Sequence, residues 1–579
     1  MAVALPMAAA AAAVVEHTFV VSQVGMTHLC QETLVTVVNG QLPGPAIEVT
    51  EGDWVAVHVI NKSPYNMTIH WHGVKQRLNC WADGVPMITQ CPVRPNHSFT
   101  YRFNVSRQEA TLWWHAHVSC LLGCVHGAFI IRPRHGASSY PFPKPHREVP
   151  LVIGEWWQTD LGQIDKSLTN SFFGFNPSSA TINGKLGDLN NCSGGLVEEG
   201  YVLEVEAGKN YLLRLINAAL ISEYYFKIAG HKFTVVAADA NYVKPYTTDV
   251  IAIAPGETVD ALLVADAAPE RSNYMVALAN QPSITNPPFP VTVTRGTLRY
   301  LNDGDDPAAA GDDAPPPLGP EMPGLHDMMP SFYFHGNLTS LRLAHPRGRT
   351  VPAHVDERLL VTLSMGSVCR NGGESCARGG SIDHSSVVVN GTGEQPQQLY
   401  TPLPERPPRP FNFTDRAFIP IGPTEAEAQL EPTRKATTGQ RFLYGAAVEV
   451  VFQNTAVMQS DYNPMHLHGH DMFVVAQGHG DFDAARDVPA RYNLVDPPVR
   501  NTVLVPSLGW AAVRFVADNP GVWYLHCHYE FHVAVGMATV FVTEDGPTVG
   551  SALPPPPADL PKCGGGHGSS LDAMENDLL

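Results

Sequence analysis

Residues 48–61 read EVTEGDWVAVHVIN, and the chain repeats this pattern twice more. The second copy is EVEAGKNYLLRLIN at 204–217, and the third is YGAAVEVVFQN at 444–454. In each copy a glycine stands nine residues before an asparagine, and the residues between them are alternately or continuously apolar. A turn glycine followed by such a run predicts a half-buried β-strand. Three copies of one strand predict three related units.

The stretches between the copies consist of short apolar runs broken by Gly, Pro and Asn, such as ALLVAD, AFIIRP and TDVIAIAP. Long helical periods are almost lacking, so the pattern predicts an all-β fold of sandwich domains. Residues 302–324 are rich in Pro, Gly, Ala and Asp, which is typical of a linker. We therefore expect a signal peptide at 1–15, β-sandwich domains at 16–145, 146–301 and 330–579, and a linker at 302–329.

The composition is that of a water-soluble globular chain. It has 579 residues, of which 44% are hydrophobic and 16% charged, with a formal net charge of −18. Nucleic acids and anionic membranes are bound through basic patches, so this charge balance argues against both as partners. After the first residues, no run is long and apolar enough to span a bilayer.

Several features indicate secretion. The chain begins MAVALPMAAAAAAVVEHTF, an apolar run of signal-peptide length without a basic start, and the small residues at Ala11 to Ala13 suit cleavage. Ten cysteines are compatible with disulfides in an oxidising compartment. Eight Asn-x-Ser/Thr sequences, which accept glycans in the secretory pathway, begin at Asn61, Asn66, Asn96, Asn104, Asn191, Asn337, Asn390 and Asn412.

Four His-x-His pairs lie at matching places in the first and third units. HWH contains His70 and His72, and WWHAH contains His115 and His117; the corresponding pairs of the third unit are His466 with His468 and His526 with His528. Residues two apart in a strand point to the same face. A single pair is compatible with an ordinary polar strand. Eight imidazoles buried between two units would be costly without a compensating metal.

The stretch HCHYEFHVAVGM indicates which metal is bound. Cys527 offers a thiolate, His532 an imidazole and Met537 a weak axial thioether, which together suit blue copper. Zinc is the alternative, but it favours closed Cys/His tetrahedra with no use for eight further histidines. Cys527 is bonded through the backbone to His526 and His528, so an electron on its copper has a covalent path to the histidine cluster.

The motifs HWHG, WWHAH, HLHGH and HCHYEFH, in this order over nearly the whole chain, resemble the four copper motifs of multicopper oxidases. WADG, YVKPYTTD, NLVDPP, ADNPGVW and the closing DLPKC are similar to plant laccase sequences. The resemblance implies three cupredoxin-like Greek-key domains and four copper ions. It also implies secretion to the apoplast and cell wall, and one-electron oxidation of phenols such as monolignols coupled to reduction of dioxygen to water.

Carried over by motif, the resemblance assigns the ligands. His70 and His466 would hold the type 2 copper, and the type 3 pair would be held by His72, His115, His117, His468, His526 and His528. Asp83 in WADG and Glu530 in HCHYEFH match acids that hydrogen-bond around the cluster and deliver protons to it. Each acid taken alone could equally be an ordinary surface carboxylate.

One position departs from the family pattern His-Pro-x-His-x-His-Gly. Its first histidine would complete the type 1 site with Cys527, His532 and Met537, and here that place is Asn463. A carboxamide oxygen is harder and less basic than an imidazole nitrogen, so we expect weaker copper binding or altered geometry. His470 lies seven residues further along the chain and is expected to be a non-ligand.

Three hypotheses follow from this departure. The first is an active laccase whose type 1 site tolerates Asn463. The second is a copper protein with an intact oxygen-reducing cluster, an impaired type 1 site and low phenol oxidase activity. The third is a non-enzymatic cell-wall binding protein, which retention of all the cluster histidines disfavours. Ascorbate oxidation is the nearest rival chemistry to phenol oxidation.

The resemblance also implies how substrate and disulfides are placed. A phenol would dock beside a solvent-facing edge of His532. Glu223 in LISEYYF is a candidate acid for the phenol proton, and the alternative is a solvated residue on a loop. The expected partners are dioxygen and the phenol, and the chain is expected to be a monomer. Cys30–Cys192 and Cys91–Cys563 are family-like pairs, Cys369 and Cys376 could close a loop, and Cys80, Cys120 and Cys124 remain unassigned.

Overall fold

The structure is a computed structural model, and it describes most of the chain. The described residues are 12–169, 175–189, 197–267, 272–280, 291–301, 316–341, 350–369, 382–389, 439–454, 462–534 and 536–563. Residues 1–11 of the expected leader and 302–315 of the expected linker lie outside these ranges, as do Cys192, Cys376 and the sequons at 191, 390 and 412.

Thirty strands run in chain order through the described residues. The first group is β1 (Val14–His28), β2 (Gln31–Val38), β3 (Ile47–Thr50), β4 (Trp54–Asn61), β5 (Ile69–His72), β6 (Ser98–Asn104), β7 (Ala110–Ala116) and β8 (His126–Arg132). The second group is β9 (Arg147–Trp156), β10 (Ser179–Ile182), β11 (Val202–Glu206), β12 (Asn210–Asn217), β13 (Glu223–Ile228), β14 (Phe233–Ala238), β15 (Asn241–Thr248), β16 (Ile251–Ile253), β17 (Thr258–Val264), β18 (Asn273–Asn280) and β19 (Val293–Leu301).

The third group is β20 (Glu357–Cys369), β21 (Ile382–Val389), β22 (Gly439–Phe442), β23 (Ala447–Asn454), β24 (Asn463–Leu467), β25 (Met472–His479), β26 (Val499–Arg500), β27 (Thr502–Val505), β28 (Gly509–Val516), β29 (Gly521–Cys527) and β30 (Ala538–Thr543). The α-helices of the described residues are α1 (Leu161–Thr169), α2 (Met329–Asn337), α3 (Ala484–Arg491) and α4 (Glu530–Ala534). Short 3-10 turns occupy Cys80–Ala82, Ser119–Gly123, Ala137–Ser139 and Val549–Ser551.

Each group of strands forms two sheets. We call the three resulting pairs of sheets the first, second and third sandwich. The sheet orders are β2-β1-β4-β6 and β3-β8-β7-β5 in the first, β10-β9-β12-β17-β14-β15 and β11-β19-β18-β13-β16 in the second, and β21-β20-β23-β28-β25-β26 and β22-β30-β29-β24-β27 in the third. The all-β expectation is confirmed.

The three repeated strands β4, β12 and β23 occupy the same place in their sandwiches. Each pairs in parallel with the first strand of its group, β1, β9 or β20, and antiparallel with a later one, β6, β17 or β28. The glycines that precede them are Gly52, Gly208 and Gly445, with φ of 88°, 72° and 84°. Only glycine adopts these angles without strain, so the turn glycine of the sequence pattern is required by the backbone.

The asparagine that ends each repeated strand is buried. Asn61 is 0% exposed, and its amide donates to the carbonyls of Tyr65 and Val93. Asn217 is also 0% exposed and donates to the carbonyls of Ser222 and Ile253. These bonds pin the turn that follows the strand. They also correct one expectation, because a fully buried Asn61 side chain cannot carry a glycan in the folded protein.

The ends of the described chain are tied to the first sandwich. Val14 and Val15 of β1 pair with Trp54 and Val55 of β4, so cleavage at residues 11–13 would keep these pairs, whereas removal of residues 1–15 would lose them. Cys91 and Cys563 form the expected disulfide across a sequence separation of 472. Cys30 is also disulfide-bonded, although its expected partner is outside the described residues.

The three cysteines that the sequence left unassigned are all buried. Cys80, Cys120 and Cys124 are buried at 1%, 0% and 5% exposure, and burial raises the pKa of the Cys80 thiol to about 12.

In the described part of the chain, no helix combines the length and apolarity that a bilayer crossing requires.

Candidate metal centres between the first and third sandwiches

Two antiparallel strand pairs bring the His-x-His motifs together. In the first sandwich β5 pairs with β7, which sets His70 opposite His115. In the third sandwich β24 pairs with β29, which sets His466 opposite His526. Because each motif alternates along an extended strand, both of its imidazoles point to the same side.

The eight imidazoles form one cluster across the interface between the two sandwiches. The ring centroids of His70 and His468 are 4.0 Å apart, and those of His72 and His466 are 3.7 Å apart. His117 lies 5.2 Å from His526 by the same measure. Three groups have ligand atoms within 4.8 Å of one another: His70 with His466 and His468, His70 with His72 and His115, and His117 with His468 and His526. The groups share members, so they describe one joined site.

The cluster is buried, and burial lowers the pKa of seven of its imidazoles. Seven of the eight histidines are at most 2% exposed, and His117 is half-buried. Burial, followed by the neighbouring imidazoles, holds the pKa well below the ordinary value for His72, His115, His466, His468, His526 and His528. Burial lowers the pKa of His117 to about 3. Neutral imidazole is the form that binds a metal ion.

Four of the eight rings, among them His70, His115 and His466, are fixed at one nitrogen and have no hydrogen-bond partner at the other. Nδ1 of His70 donates to the Asp83 carbonyl at 2.7 Å, Nδ1 of His115 to the Ala116 carbonyl at 2.8 Å, and Nδ1 of His466 to the Asn501 carbonyl at 2.9 Å. The Nε2 atoms of these three rings are buried without a hydrogen-bond partner. Unpaired buried nitrogens are costly, and ligation of metal ions would satisfy them. The donor set therefore fits copper.

The two acids singled out in the sequence lie near this cluster. Asp83 is 0% exposed, and its Oδ2 accepts from Nδ1 of His468 at 2.8 Å. Asp83 thereby holds one imidazole through its carboxylate and another, His70, through its backbone carbonyl. Glu530 begins α4. Burial raises the pKa of Tyr524, and the charge of Glu530 raises it further. The Tyr524 ring stacks on His526 with centroids 4.7 Å apart.

A second, smaller site surrounds Cys527. Its Sγ lies 3.4 Å from Nδ1 of His532 and 3.7 Å from Oδ1 of Asn463. Met537 is 1% exposed, and its backbone bonds to both Cys527 and His532 at 3.1 and 2.9 Å. The His532 ring is only 5% exposed. This burial lowers its pKa to about 4, which favours the neutral imidazole. A thiol, an imidazole and a carboxamide oxygen therefore converge here, and the backbone of Met537 is bonded to two of these residues.

His470 is buried at 6% exposure, and Nδ1 donates to the His468 carbonyl at 3.2 Å. Its ring packs near Phe515 and Trp523, with centroids 5.4 and 5.7 Å away. None of the histidine groups found in the described residues includes it. The ring thus packs among aromatic side chains behind the cluster.

Glu223 is not the solvated loop residue that the alternative expected, and its role as the acid for the phenol proton stays a prediction. It is neither on a loop nor solvated: it begins β13 and is 1% exposed. Its carboxylate accepts from Asn280 at 2.8 Å and from the hydroxyl of Ser331. The carboxylate of Glu223 is therefore held inside the protein by two hydrogen bonds.

Three residues at the sites have no distinguishing signal in the sequence. Asn501 and Thr502 hydrogen-bond to His72 and His466, although they carry no metal-binding motif. Glu155 is 4% exposed, and burial raises its pKa to about 7. Its Oε2 accepts from the Leu220 amide at 3.0 Å, and the Leu220 carbonyl accepts from the Glu530 amide at 2.9 Å. Two hydrogen bonds through Leu220 thus link the Glu155 side chain to the helix that carries His532.

Comparison with known proteins bears on the identity of these sites. Three multicopper oxidase family models match residues 20–136, 147–303 and 402–547. Laccase-15 of Oryza sativa subsp. japonica is 60% identical over 96% of this chain and 95% of that relative. The chain is a laccase of the multicopper oxidase family. Laccase-7 of Arabidopsis thaliana is 44% identical over 95% of this chain and 96% of that relative.

Solved structures agree with this family. The laccase from Botrytis aclada has a TM-score of 0.67 and 25% identity, covering 94% of this chain and 89% of that one. Fet3p, a multicopper oxidase that functions in iron import, has a TM-score of 0.69 at 21% identity, covering 92% of this chain and 90% of that one, which supports the fold alone. As a laccase the chain uses four copper ions, one of type 1, one of type 2 and a type 3 pair.

Proposed function

We propose that this laccase is secreted, oxidises phenols one electron at a time at the Cys527 site, and passes the electrons to dioxygen at the histidine cluster. The observation that carries the proposal is the position of Cys527 between two cluster residues. His526 and His528 belong to the buried cluster, while the sulfur between them points to His532. The two sites are thus joined by one short stretch of backbone.

The ligand assignment is part of the proposal. His70 and His466 would hold the type 2 copper, and the other six cluster histidines the type 3 pair. Cys527, His532, Met537 and Asn463 would hold the type 1 copper. Bound copper supplies the one-electron redox changes that convert four single-electron oxidations into the reduction of one dioxygen molecule.

Protein groups supply the protons and the shielding. Reduction of dioxygen to water consumes protons inside a buried site, so acids must lie close to it. Asp83 is bonded to His468 and 0% exposed, and Glu530 begins the helix beside Tyr524. We assign proton delivery to these two acids. Glu223 stays the acid proposed to accept the phenol proton, and Asn280 and Ser331 hold its carboxylate by hydrogen bonds.

Asn463 favours one alternative function, a copper protein with an intact cluster and an impaired type 1 site. Its Oδ1 faces the Cys527 sulfur at 3.7 Å, which is the position where the family pattern has an imidazole. An amide oxygen is a poorer ligand for copper than an imidazole nitrogen. The two functions differ in whether copper at Cys527 is firmly bound in the wild-type protein.

The deciding experiment compares the wild type with Asn463→His and Asn463→Ala in secreted protein. We measure copper ions per chain, the visible thiolate-to-copper absorption and the rate of phenol oxidation. We expect the wild type to show the absorption, and the histidine variant to bind type 1 copper at least about tenfold more tightly, as expected for restoring a ligand. If only the histidine variant shows the absorption, the impaired-site function is correct. The alanine variant shows whether the amide contributes at all.

Secretion and a monomeric state complete the proposal. The Cys91–Cys563 disulfide and the bonded Cys30 require an oxidising compartment. Asn96 and Asn337 are exposed sequons that could carry glycans there, in the apoplast and cell wall. Glycosidase treatment of the secreted protein tests the glycans, and light scattering tests whether it is monomeric. Neither nucleic acid nor membrane is among the proposed partners.

A further inference from the structure

The second sandwich contributes no histidine to the cluster, but it sends one carboxylate to the backbone beside it. Asp239 follows β14 and has a φ of 47°, a left-handed conformation that Asp tolerates better than most residues. Its Oδ2 accepts from the backbone amides of Asn501 and Thr502 at 3.2 and 3.1 Å. Its Oδ1 accepts from the Thr258 amide at 3.0 Å, which anchors the carboxylate in its own sandwich.

The two residues held by Asp239 contact one imidazole from each outer sandwich. Nε2 of His72 donates to Oδ1 of Asn501, with the Thr502 hydroxyl also at 3.1 Å. Nδ1 of His466 donates to the Asn501 carbonyl at 2.9 Å, with the Thr502 hydroxyl at 3.2 Å. These bonds leave Nδ1 of His72 and Nε2 of His466 without a partner. Residues 501–502 therefore decide which nitrogen of each ring faces the cluster.

An ion network holds Asp239 in this position. Nε of Arg500 donates to Oδ2 of Asp239 at 2.8 Å, and its Nη2 donates to Glu257 at 2.8 Å. Glu257 also accepts from Nε2 of His335 at 2.9 Å. The side chains of Asp239 and Glu257 are each 1% exposed, that of Arg500 is 4% and that of His335 is 8%. Burying these charges is unfavourable before they pair, so stability alone is a weak reason for the network.

We propose that Asp239 is a positioning residue through which the second sandwich sets the orientation of His72 and His466. The inference rests on the copper function proposed above. Asp239 does not touch the reacting atoms. It fixes the 501–502 backbone, and that segment fixes the two rings. The second sandwich thus takes part in building a metal site for which it supplies no ligand.

The test uses Asp239→Asn with Asp260→Asn as its matched control. Asp260 is a buried acid of the same sandwich, at 2% exposure, and it too is bonded to an arginine, Arg214, at 2.8 Å. Asparagine keeps the shape of either side chain and tolerates the backbone angle of Asp239. Its NH₂ group, however, must face a donor, either Arg500 or the Thr258 amide.

The first readout does not depend on copper. In the metal-free protein, hydrogen exchange measured by mass spectrometry on the peptide containing residues 501–502 should become at least about tenfold faster in Asp239→Asn, since both amides lose a charged acceptor. The same peptide should keep its wild-type rate in Asp260→Asn. Equal rates for this peptide in the wild type and Asp239→Asn would overturn the inference.

The second readout is the metal site itself. Copper affinity of the cluster should fall about 10–100-fold in Asp239→Asn, with a changed electron paramagnetic resonance signal of the type 2 copper, and should be unchanged in Asp260→Asn. Equal copper loss in both variants would mean that any buried acid of this sandwich has the same effect, and would also overturn it. Absence of cluster copper from the wild type would count against the proposed function instead, leaving hydrogen exchange to decide the role of Asp239.

A second pair of variants covers the case in which Asp239→Asn does not fold. Thr502→Val removes the hydroxyl near His72 and His466 at nearly constant volume, and Thr502→Ser retains it. The valine variant should show the changed type 2 signal, and the serine variant should restore the wild-type signal. Identical signals from the two variants would show that the hydroxyl does not position the rings.

Discussion

The histidine cluster and the Cys527 site lie next to each other, but they differ in how completely their ligands are provided. In the cluster, three rings have one nitrogen fixed by a backbone carbonyl and the other nitrogen left for a metal. At the Cys527 site, one position is taken by the amide of Asn463. The cluster has its full set of imidazoles, whereas the smaller site has one fewer than the family pattern.

This difference separates the two halves of the reaction. In the proposed function, oxygen reduction depends on the cluster, whose geometry is fixed by both outer sandwiches and the backbone around them. Phenol oxidation would depend on the Cys527 site, where replacement of one histidine by Asn463 changes the strength of a ligand. Variants on either side can therefore be ranked by how strongly they affect one half and spare the other.

The largest effect is expected from Cys527→Ser. Removal of the thiolate should abolish the visible absorption and phenol oxidation and release one copper ion per chain, while the cluster keeps its copper. Copper analysis and the visible spectrum check this. Cys124→Ser, which alters another buried cysteine at 5% exposure, serves as the control. Loss of all copper from Cys527→Ser would show that the two sites do not load independently.

A smaller effect, confined to the cluster, is expected from Asp83→Asn. The change weakens the hydrogen bond that Nδ1 of His468 donates to the side chain at position 83. Loss of such a bond to a metal ligand typically costs about 10–100-fold in metal affinity or activity. The rate at which dioxygen reoxidises the reduced protein should fall, and the thiolate absorption should remain. Asp53→Asn is the control, because Asp53 is an 8% exposed acid of the same sandwich that bonds to Ala13 and Thr50. An unchanged reoxidation rate in Asp83→Asn would contradict the prediction.

Glu155, which is linked through Leu220 to the helix of His532, is expected to make the stability of the protein depend on pH. Burial raises the pKa of nearby Glu155 from 4.5 to about 7, so the folded state favours the neutral acid. Its ionisation then costs stability as the pH rises through this interval, about 3 kcal/mol in full above pH 7. From pH 5 to pH 8, the thermal midpoint of Glu155→Gln should therefore rise relative to that of the wild type.

Glu199→Gln is the control for this pH effect, because the Glu199 side chain is 82% exposed. Its midpoint should follow that of the wild type at both pH values. If Glu155→Gln also runs parallel to the wild type, burial does not raise the pKa of Glu155 in the folded protein and the prediction is wrong.

The smallest effect is expected from His470→Gln. This ring packs against Phe515 and Trp523 rather than among the cluster ligands. Copper per chain and the oxidation rate should stay within about twofold of the wild type, since a substitution away from metal and substrate acts mainly on stability. Loss of one copper ion from this variant would show that His470, and not Asn463, completes the Cys527 site.

The fold and the cluster could be predicted from sequence because both depend on local patterns. A glycine with positive φ and an alternating strand left the same trace at Gly52, Gly208 and Gly445. Likewise, a His-x-His pair on a strand fixes the direction of both rings without reference to distant residues. Asn463 was visible for the same reason, as a departure inside a local motif.

The residues that escaped prediction are defined by distant contacts. Asp239 meets Arg500 across 261 positions, and neither belongs to a motif for ligands. Glu223 reads as a polar residue after a short loop, yet Asn280 and Ser331 close over it. The sequon at Asn61 misled in the opposite way, since a local motif suggested exposure where the turn requires burial.

The disulfide between Cys91 and Cys563 makes most of the polypeptide a covalent ring. Any protease cut within the 472-position span it encloses leaves the pieces linked by this bond. A nicked molecule therefore migrates as a single species on a denaturing gel without reductant and separates into fragments when reductant is added. A single cut in a surface loop between these cysteines therefore does not release the sandwich that carries Cys527 from the one that carries His70.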